Sequence, residues 1–222
     1  MLARKLSFES DKSPKFSYTD YLSWNDQERW EIIDGVAYDM SPAPTIKHQD
    51  ISFRLSGIFY QCLKNSRCRA FAAPFDVILM EDKHLNLLVN DSSDQNEKSV
   101  SNKRGENENI VQGKEIHTVV QPDLVVVCDD KKLKTRGCFG SPDIVVEILS
   151  KSTAYKDETE KLKVYEKHGV KEYWIVNPDA EYIMVYRLDG LKYAKPEYLI
   201  KEDTLVSHAV DVLTFGLLEL WR

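Results

Sequence analysis

Ser141-Pro142-Asp143-Ile144-Val145-Val146-Glu147-Ile148-Leu149-Ser150 is an apolar run with one acid, Glu147, in its middle. A strand buried on both faces reads as a near-continuous apolar run, and a lone carboxylate inside one costs free energy unless something pairs with it. Glu147 is therefore the first residue to explain. Downstream, residues 153–168 predict a helix, Gly169 stops it, and Glu172-Tyr173-Trp174-Ile175-Val176 is an aromatic strand. Strand, helix, strand over about thirty-five residues is a βαβ crossover, which requires a parallel pair in a sheet.

A second apolar run, residues 118–128, carries one acid of its own, Asp123, directly after Pro122. Proline removes a ladder donor, so this strand is expected to be bulged or unpaired on one side near Asp123, a distortion that often re-aims side chains at functional sites. Two buried strands with one acid each suggest that Asp123 and Glu147 lie side by side. Paired carboxylates resist joint ionisation unless a cation neutralises them, and hard oxygen ligands favour Mg2+ or Mn2+. The main-chain carbonyl of Ile148 would complete the protein's share of the coordination sphere. On the following helix, Asp157, Lys161 and Tyr165 share one face at spacings of four. That face either covers the carboxylates and delivers the Lys161 ammonium, or holds an ordinary surface ion pair. Asp143 also follows a proline and alternates onto the face of Glu147, which makes it a competing ligand candidate.

Nearer the N-terminus, Thr19 is expected to cap a short helix, and residues 30–40 form two strands around Asp34-Gly35, a hairpin turn that needs positive φ. A helix over residues 46–65 lays Ile51, Leu55, Ile58, Phe59 and Cys62 along one stripe. His48 extends that stripe and is either a cleft residue or a structural histidine. Residues 69–71 and 75–79 are further strands, as are 174–176 and 182–188. Residues 86–115 are polar and nearly free of aromatics, so their apolar burial falls short of the ordering entropy; the middle, 91–113, is expected to be a flexible insertion.

At 222 residues and 42% hydrophobic, the chain supports one domain, residues 18–222, behind a loose arm over residues 1–17. A net charge of -6 argues against a general polyanion binder without excluding acids gathered to hold a cation. There is neither a run of eighteen apolar residues nor a signal segment after Met1, so the expected location is the cytoplasm. Cys62, Cys68, Cys128 and Cys138 show no metal spacing and read as free buried thiols rather than disulfides.

Pro122-Asp123, Glu147-Ile148-Leu149-Ser150 and Lys161 resemble the PD-(D/E)XK nuclease superfamily. Glu31-Ile32-Ile33-Asp34-Gly35, Met40-Ser41-Pro42-Ala43-Pro44, His48 and Gly169-Val170-Lys171-Glu172-Tyr173-Trp174 resemble, more narrowly, the bacterial Uma-type restriction endonuclease family. The resemblance spans residues 17–190, broken by the polar insertion. It implies a restriction endonuclease-like α/β core, a central mixed β-sheet flanked by helices with an N-terminal β-hairpin, and metal-dependent hydrolysis of phosphodiester bonds in nucleic acid, most naturally DNA. Asp123 and Glu147 would be the two motif acids, Glu31 an additional acid for a second metal or for orienting water, and His48 a phosphate or acid contact. Leu149 stands where the superfamily has lysine, and Lys161 would replace it from the helix. The alternative is a nuclease-fold module that binds nucleic acid or a partner protein without turnover. A homodimer is plausible if the aromatic strand at Tyr173 pairs across a sheet edge.

Overall fold

The structure, a computed structural model, describes residues 15–24, 28–40, 43–80, 115–150 and 153–221. The expected insertion at 91–113 and the first fourteen residues of the arm lie outside them, as do Ser41 and Pro42.

In chain order the strands are β1 (Trp30–Ile33), β2 (Val36–Asp39), β3 (Arg69–Ala72), β4 (Val77–Ile78), β5 (Val119–Val120), β6 (Leu124–Val127), β7 (Leu133–Lys134) and β8 (Gly137–Phe139). They continue as β9 (Ile144–Ile148), β10 (Glu172–Asn177), β11 (Tyr182–Asp189), β12 (Lys192–Tyr193), β13 (Glu197–Ile200), β14 (Thr204–Val206) and β15 (Thr214–Gly216). Helix α1 spans Tyr18–Ser23 and α2 spans Ile46–Leu63. A third helix, α3, joins Ala154–Lys156, a π turn at Asp157–Lys161, and Leu162–Lys167. The fold is thus mixed α/β, as expected from the sequence.

Two sheets carry most of the strands. One runs β12-β11-β10-β9-β6-β3, with β13 also on β11; the other runs β2-β1-β5-β4-β8-β7. Strands β9 and β10 are parallel, joined by α3, and β6 and β3 continue antiparallel from β9. Alternation along β9 sends Ile144, Val146 and Ile148 toward α2, where they meet Leu55 and Phe59, while Val145 faces the side of α3, where Tyr165 and Val164 pack. Glu147, on the odd face, therefore points at α3 rather than α2.

Several sequence expectations change at this level. Residues 118–128 are not one bulged strand: β5 belongs to the hairpin sheet and β6 to the main sheet, and the chain crosses between sheets at Gln121-Pro122-Asp123. Proline is tolerated because that point is a crossing and not a ladder position. Helix α1 is capped by Ser17, not Thr19, through a capping box with Asp20. Strand β10 is paired on both sides, by β9 and β11, so Tyr173 offers no free edge to a second copy. Cys68 and Cys128 form a disulfide, leaving Cys62 and Cys138 as thiols. The register explains it: Arg69 pairs with Val127, so the next residues outward, Cys68 and Cys128, face each other across β3 and β6. That juxtaposition depends on a strand pairing that cysteine spacing does not encode.

Candidate active site

The acid pair is set by strand register. Leu124 pairs with Val146 and Val125 with Val145, so one step further places Asp123 across from Glu147, within reach as a cross-strand pair. Asp123 Oδ2 accepts the Ile148 N–H at 2.7 Å and lies 3.1 Å from His48 Nε2. Helix α2 brings that imidazole in because Thr45 caps the helix, its hydroxyl accepting the His48 N–H at 3.3 Å. His48 thus belongs to the acid cluster, although its Nδ1 is buried without a hydrogen bond.

Glu147 is 4% exposed. Its Oε1 accepts from Lys161 Nζ at 2.7 Å and from the Tyr165 hydroxyl at 2.8 Å. Glu31 reaches the same lysine from the hairpin: Oε1 is 2.8 Å from Lys161 Nζ and accepts the Gln121 N–H at 3.0 Å, while Oε2 accepts from Lys156 Nζ at 2.6 Å. Both Glu31 oxygens are thus engaged, and the residue has no exposure. Asp157, on α3, lies 3.7 Å from Lys161. His48, Asp123, Glu147, Lys156, Asp157 and Lys161 line a cleft of about 640 Å³ together with Arg29, Lys47 and Asp179.

Asp143 sits elsewhere. Its carboxylate accepts the Cys128 N–H at 2.7 Å and pairs with Lys171 at 2.6 Å, pinning the far end of β9 to the end of β6. Alternation put it on the face of Glu147, but four residues of strand separate the two along the sheet.

The electrostatics follow from composition. Glu31, Asp123, Glu147 and Asp157 supply four carboxylates against two ammonium groups, Lys156 and Lys161. Burial would raise the Glu31 pKa, but Lys161 and Lys156 outweigh it and hold the group near about 2. Burial, joined by the charges of Asp157, Asp123 and Glu31, raises Glu147 well above the usual carboxylate range despite Lys161. Burial likewise lifts Asp157 to about 6 despite the two lysines. Lys161 stays charged: burial opposes its charge, but Glu147, Glu31 and Asp157 raise its pKa well above the ordinary value. Burial also opposes a charge on His48, yet the hydrogen bond and charge of Asp123 raise its pKa, assisted by Asp157 and the Ile148 backbone.

Among the described residues no group of three or more His, Cys, Asp or Glu side chains is arranged to hold a metal ion. A cation here would rest on two carboxylates, Asp123 and Glu147, and a main-chain oxygen. The hydrogen bonds given above fall on one oxygen of each, Oδ2 and Oε1, and a divalent ion would favour the charged form of Glu147 that burial opposes. Lys156 and Gln121 are site neighbours that the sequence reading missed. Gln121 adjoins the Pro122-Asp123 motif, a usable signal; Lys156 has none at α-helical spacing.

Comparison with known proteins shows what this chain is similar to. The Uma2 family model, described as "Putative restriction endonuclease", matches residues 108–217. Over these residues the chain is similar to the Uma2 family. The matched Uma2 region holds Asp123, Glu147, Lys156 and Lys161, whereas Glu31 and His48 lie N-terminal to it. An uncharacterized protein, slr1290, of Synechocystis sp. (strain ATCC 27184 / PCC 6803 / Kazusa) is 26% identical over 213 residues, 92% of this chain and 94% of that one. The crystal structure of a putative nuclease belonging to DUF820 from Anabaena variabilis ATCC 29413 matches with a TM-score of 0.64 at 17% identity, covering 93% of this chain and 97% of its own. That chain and this one share a fold.

Proposed function

We propose that the protein is a metal-dependent endonuclease hydrolysing phosphodiester bonds, with DNA as substrate. The observation that carries this reading is the pairing of Asp123 and Glu147 across adjacent strands, with the Lys161 ammonium 2.7 Å from Glu147, in one cleft. The family description and the shared nuclease fold support it.

Asp123 and Glu147, with the Ile148 carbonyl, would hold Mg2+ or Mn2+, which supplies Lewis acidity toward a phosphate oxygen and toward water. The chain's own groups do the rest. Lys161 and Tyr165 fix the Glu147 carboxylate, and the Ile148 N–H fixes that of Asp123. The Lys161 ammonium also holds Glu31, so that the carboxylates from the main sheet and the hairpin keep one arrangement. His48 shares Asp123 and is the group a bound cation would have to compete with. Arg29 and Lys47 on the cleft wall offer further cations to a polyanion.

A nicking assay on supercoiled plasmid in Mg2+ or Mn2+ tests this directly. Wild type is expected to relax the plasmid, EDTA to stop it, and Glu147→Ala and Lys161→Ala each to lower the rate by roughly 100-fold or more. Cleavage surviving both substitutions rules out this site; metal binding by wild type without any nicking favours the binding module instead.

A further inference from the structure

A second lysine enters the same cleft, and the helix geometry accounts for it. Lys156 ends the α-helical turn Ala154–Lys156, and the next five residues, Asp157–Lys161, form a π turn. At 3.6 residues per turn, side chains five apart point about 140° away from each other. Where main-chain hydrogen bonds run from i to i+5, residues five apart come to one side. Lys156 and Lys161 accordingly hold the two oxygens of one carboxylate, Glu31 Oε2 at 2.6 Å and Oε1 at 2.8 Å.

The two ammonium groups differ in what they have left to give. Lys161 Nζ lies within 3.7 Å of Glu147, Glu31 and Asp157, and an ammonium has three donors. Two of its donors go to Glu147 and Glu31, at 2.7 and 2.8 Å, and the third faces the Asp157 carboxylate across 3.7 Å. Among the described residues Lys156 has one carboxylate partner, Glu31; it otherwise sits 5.5 Å from the centre of the Tyr38 ring and lines the cleft. It therefore retains donor capacity toward an anion in the cleft without releasing Glu31.

We propose that Lys156 contacts a substrate phosphate, while Lys161 is a positioning residue for Glu147 and Glu31. This division of labour rests on reading the cleft as a phosphodiester site. A compact ammonium on a flexible stem suits a non-bridging phosphate oxygen, and each such contact releases counterions from the nucleic acid.

The test is the salt dependence of binding by the full chain, read by fluorescence anisotropy of a labelled 20-base-pair duplex with Ca2+ replacing Mg2+. Each phosphate contact contributes a slope of about 0.9 in log K against log salt on duplex DNA. Lys156→Gln, which keeps a donor near Glu31, and Lys156→Met are both expected to lower the slope by about 0.9, so that the affinity lost between 50 and 200 mM salt shrinks by roughly 3-fold. Lys156→Arg is expected to restore the wild-type slope, and Lys161→Met to leave it unchanged while lowering thermal stability. A purely structural counter-ion to Glu31 would move the melting temperature and not the slope. An unchanged slope in Lys156→Gln overturns the proposal while wild-type binding leaves the phosphodiester reading standing; a wild type that binds no duplex defeats that reading and the proposal with it.

Discussion

Glu31 and Asp157 face the same two lysines and titrate in opposite directions. Glu31 is held near about 2, so the stability it contributes is present above the ordinary carboxylate range and lost as pH falls through about 2. Asp157 moves from 3.8 up to about 6, because burial outweighs the lysines and its Oδ1 has no hydrogen bond. The folded chain then binds that proton more tightly than the unfolded one, so the contribution is complete below about 4 and is lost as pH rises through about 6. Asp157→Asn, measured without divalent metal, is expected to raise thermal stability at pH 7.5 by up to about 3 kcal/mol, with the gain gone at pH 4. An equal effect at both pH values would mean that Asp157 is not the strained acid. At this scale the sequence exposed Asp123, Glu147 and Lys161 because each breaks a pattern: an acid in an apolar run, or a lysine four residues from an acid. It hid Lys156, since five-residue spacing reads as the opposite helix face until the π turn is known. It also left the duty of Glu31 open, because the partners that saturate it come from α3 and from Gln121, distant in sequence.

The elements hold the site through close approaches that few residues permit. Gly137, at φ 141°, brings β8 so near Asp76 that an added Cβ would stand 2.1 Å from the Asp76 carbonyl oxygen. Asp76 in turn accepts from the Gln121 amide at 2.8 Å and from the Tyr21 hydroxyl at 3.0 Å, and the Gln121 main-chain N–H holds Glu31. Gly137→Ala is therefore expected to cost on the order of 3 kcal/mol in chemical denaturation and to slow any cleavage, because the β4–β8 pair and the crossing that ends in Asp123 move together. A neutral Gly137→Ala would show that this contact does not bear on the site. The βαβ crossover and α2 were legible from periodicity, and Asp34-Gly35 from turn chemistry, with φ of 47° and 88° at the two positions. The exchange of sheets at Pro122 was not, because a proline signals an interrupted ladder without saying what each half pairs with.

The whole molecule places the cleft between the hairpin sheet, the main sheet, the start of α2 and α3. Each contributes a charged group that its own element cannot satisfy: Glu31 from β1, Asp123 and Glu147 from the main sheet, His48 from α2, two lysines from α3. The Cys68–Cys128 disulfide ties β3 to β6 at the end of the main sheet opposite Asp123. No helix among the described residues is long and apolar enough to cross a membrane. Fold class was legible because two apolar strands and one crossover constrain the topology strongly; disulfide pairing and lysine geometry were not, because both depend on register. The central claim is a divalent cation between the main-sheet acids, whose charge would favour the ionised Glu147 that burial opposes. Anomalous scattering from crystals grown with Mn2+ tests it most directly. The account predicts a peak between Asp123 and Glu147 beside the Ile148 carbonyl, absent in Glu147→Ala; full Mn2+ soaking with no peak there, or a peak that survives Glu147→Ala, would contradict it.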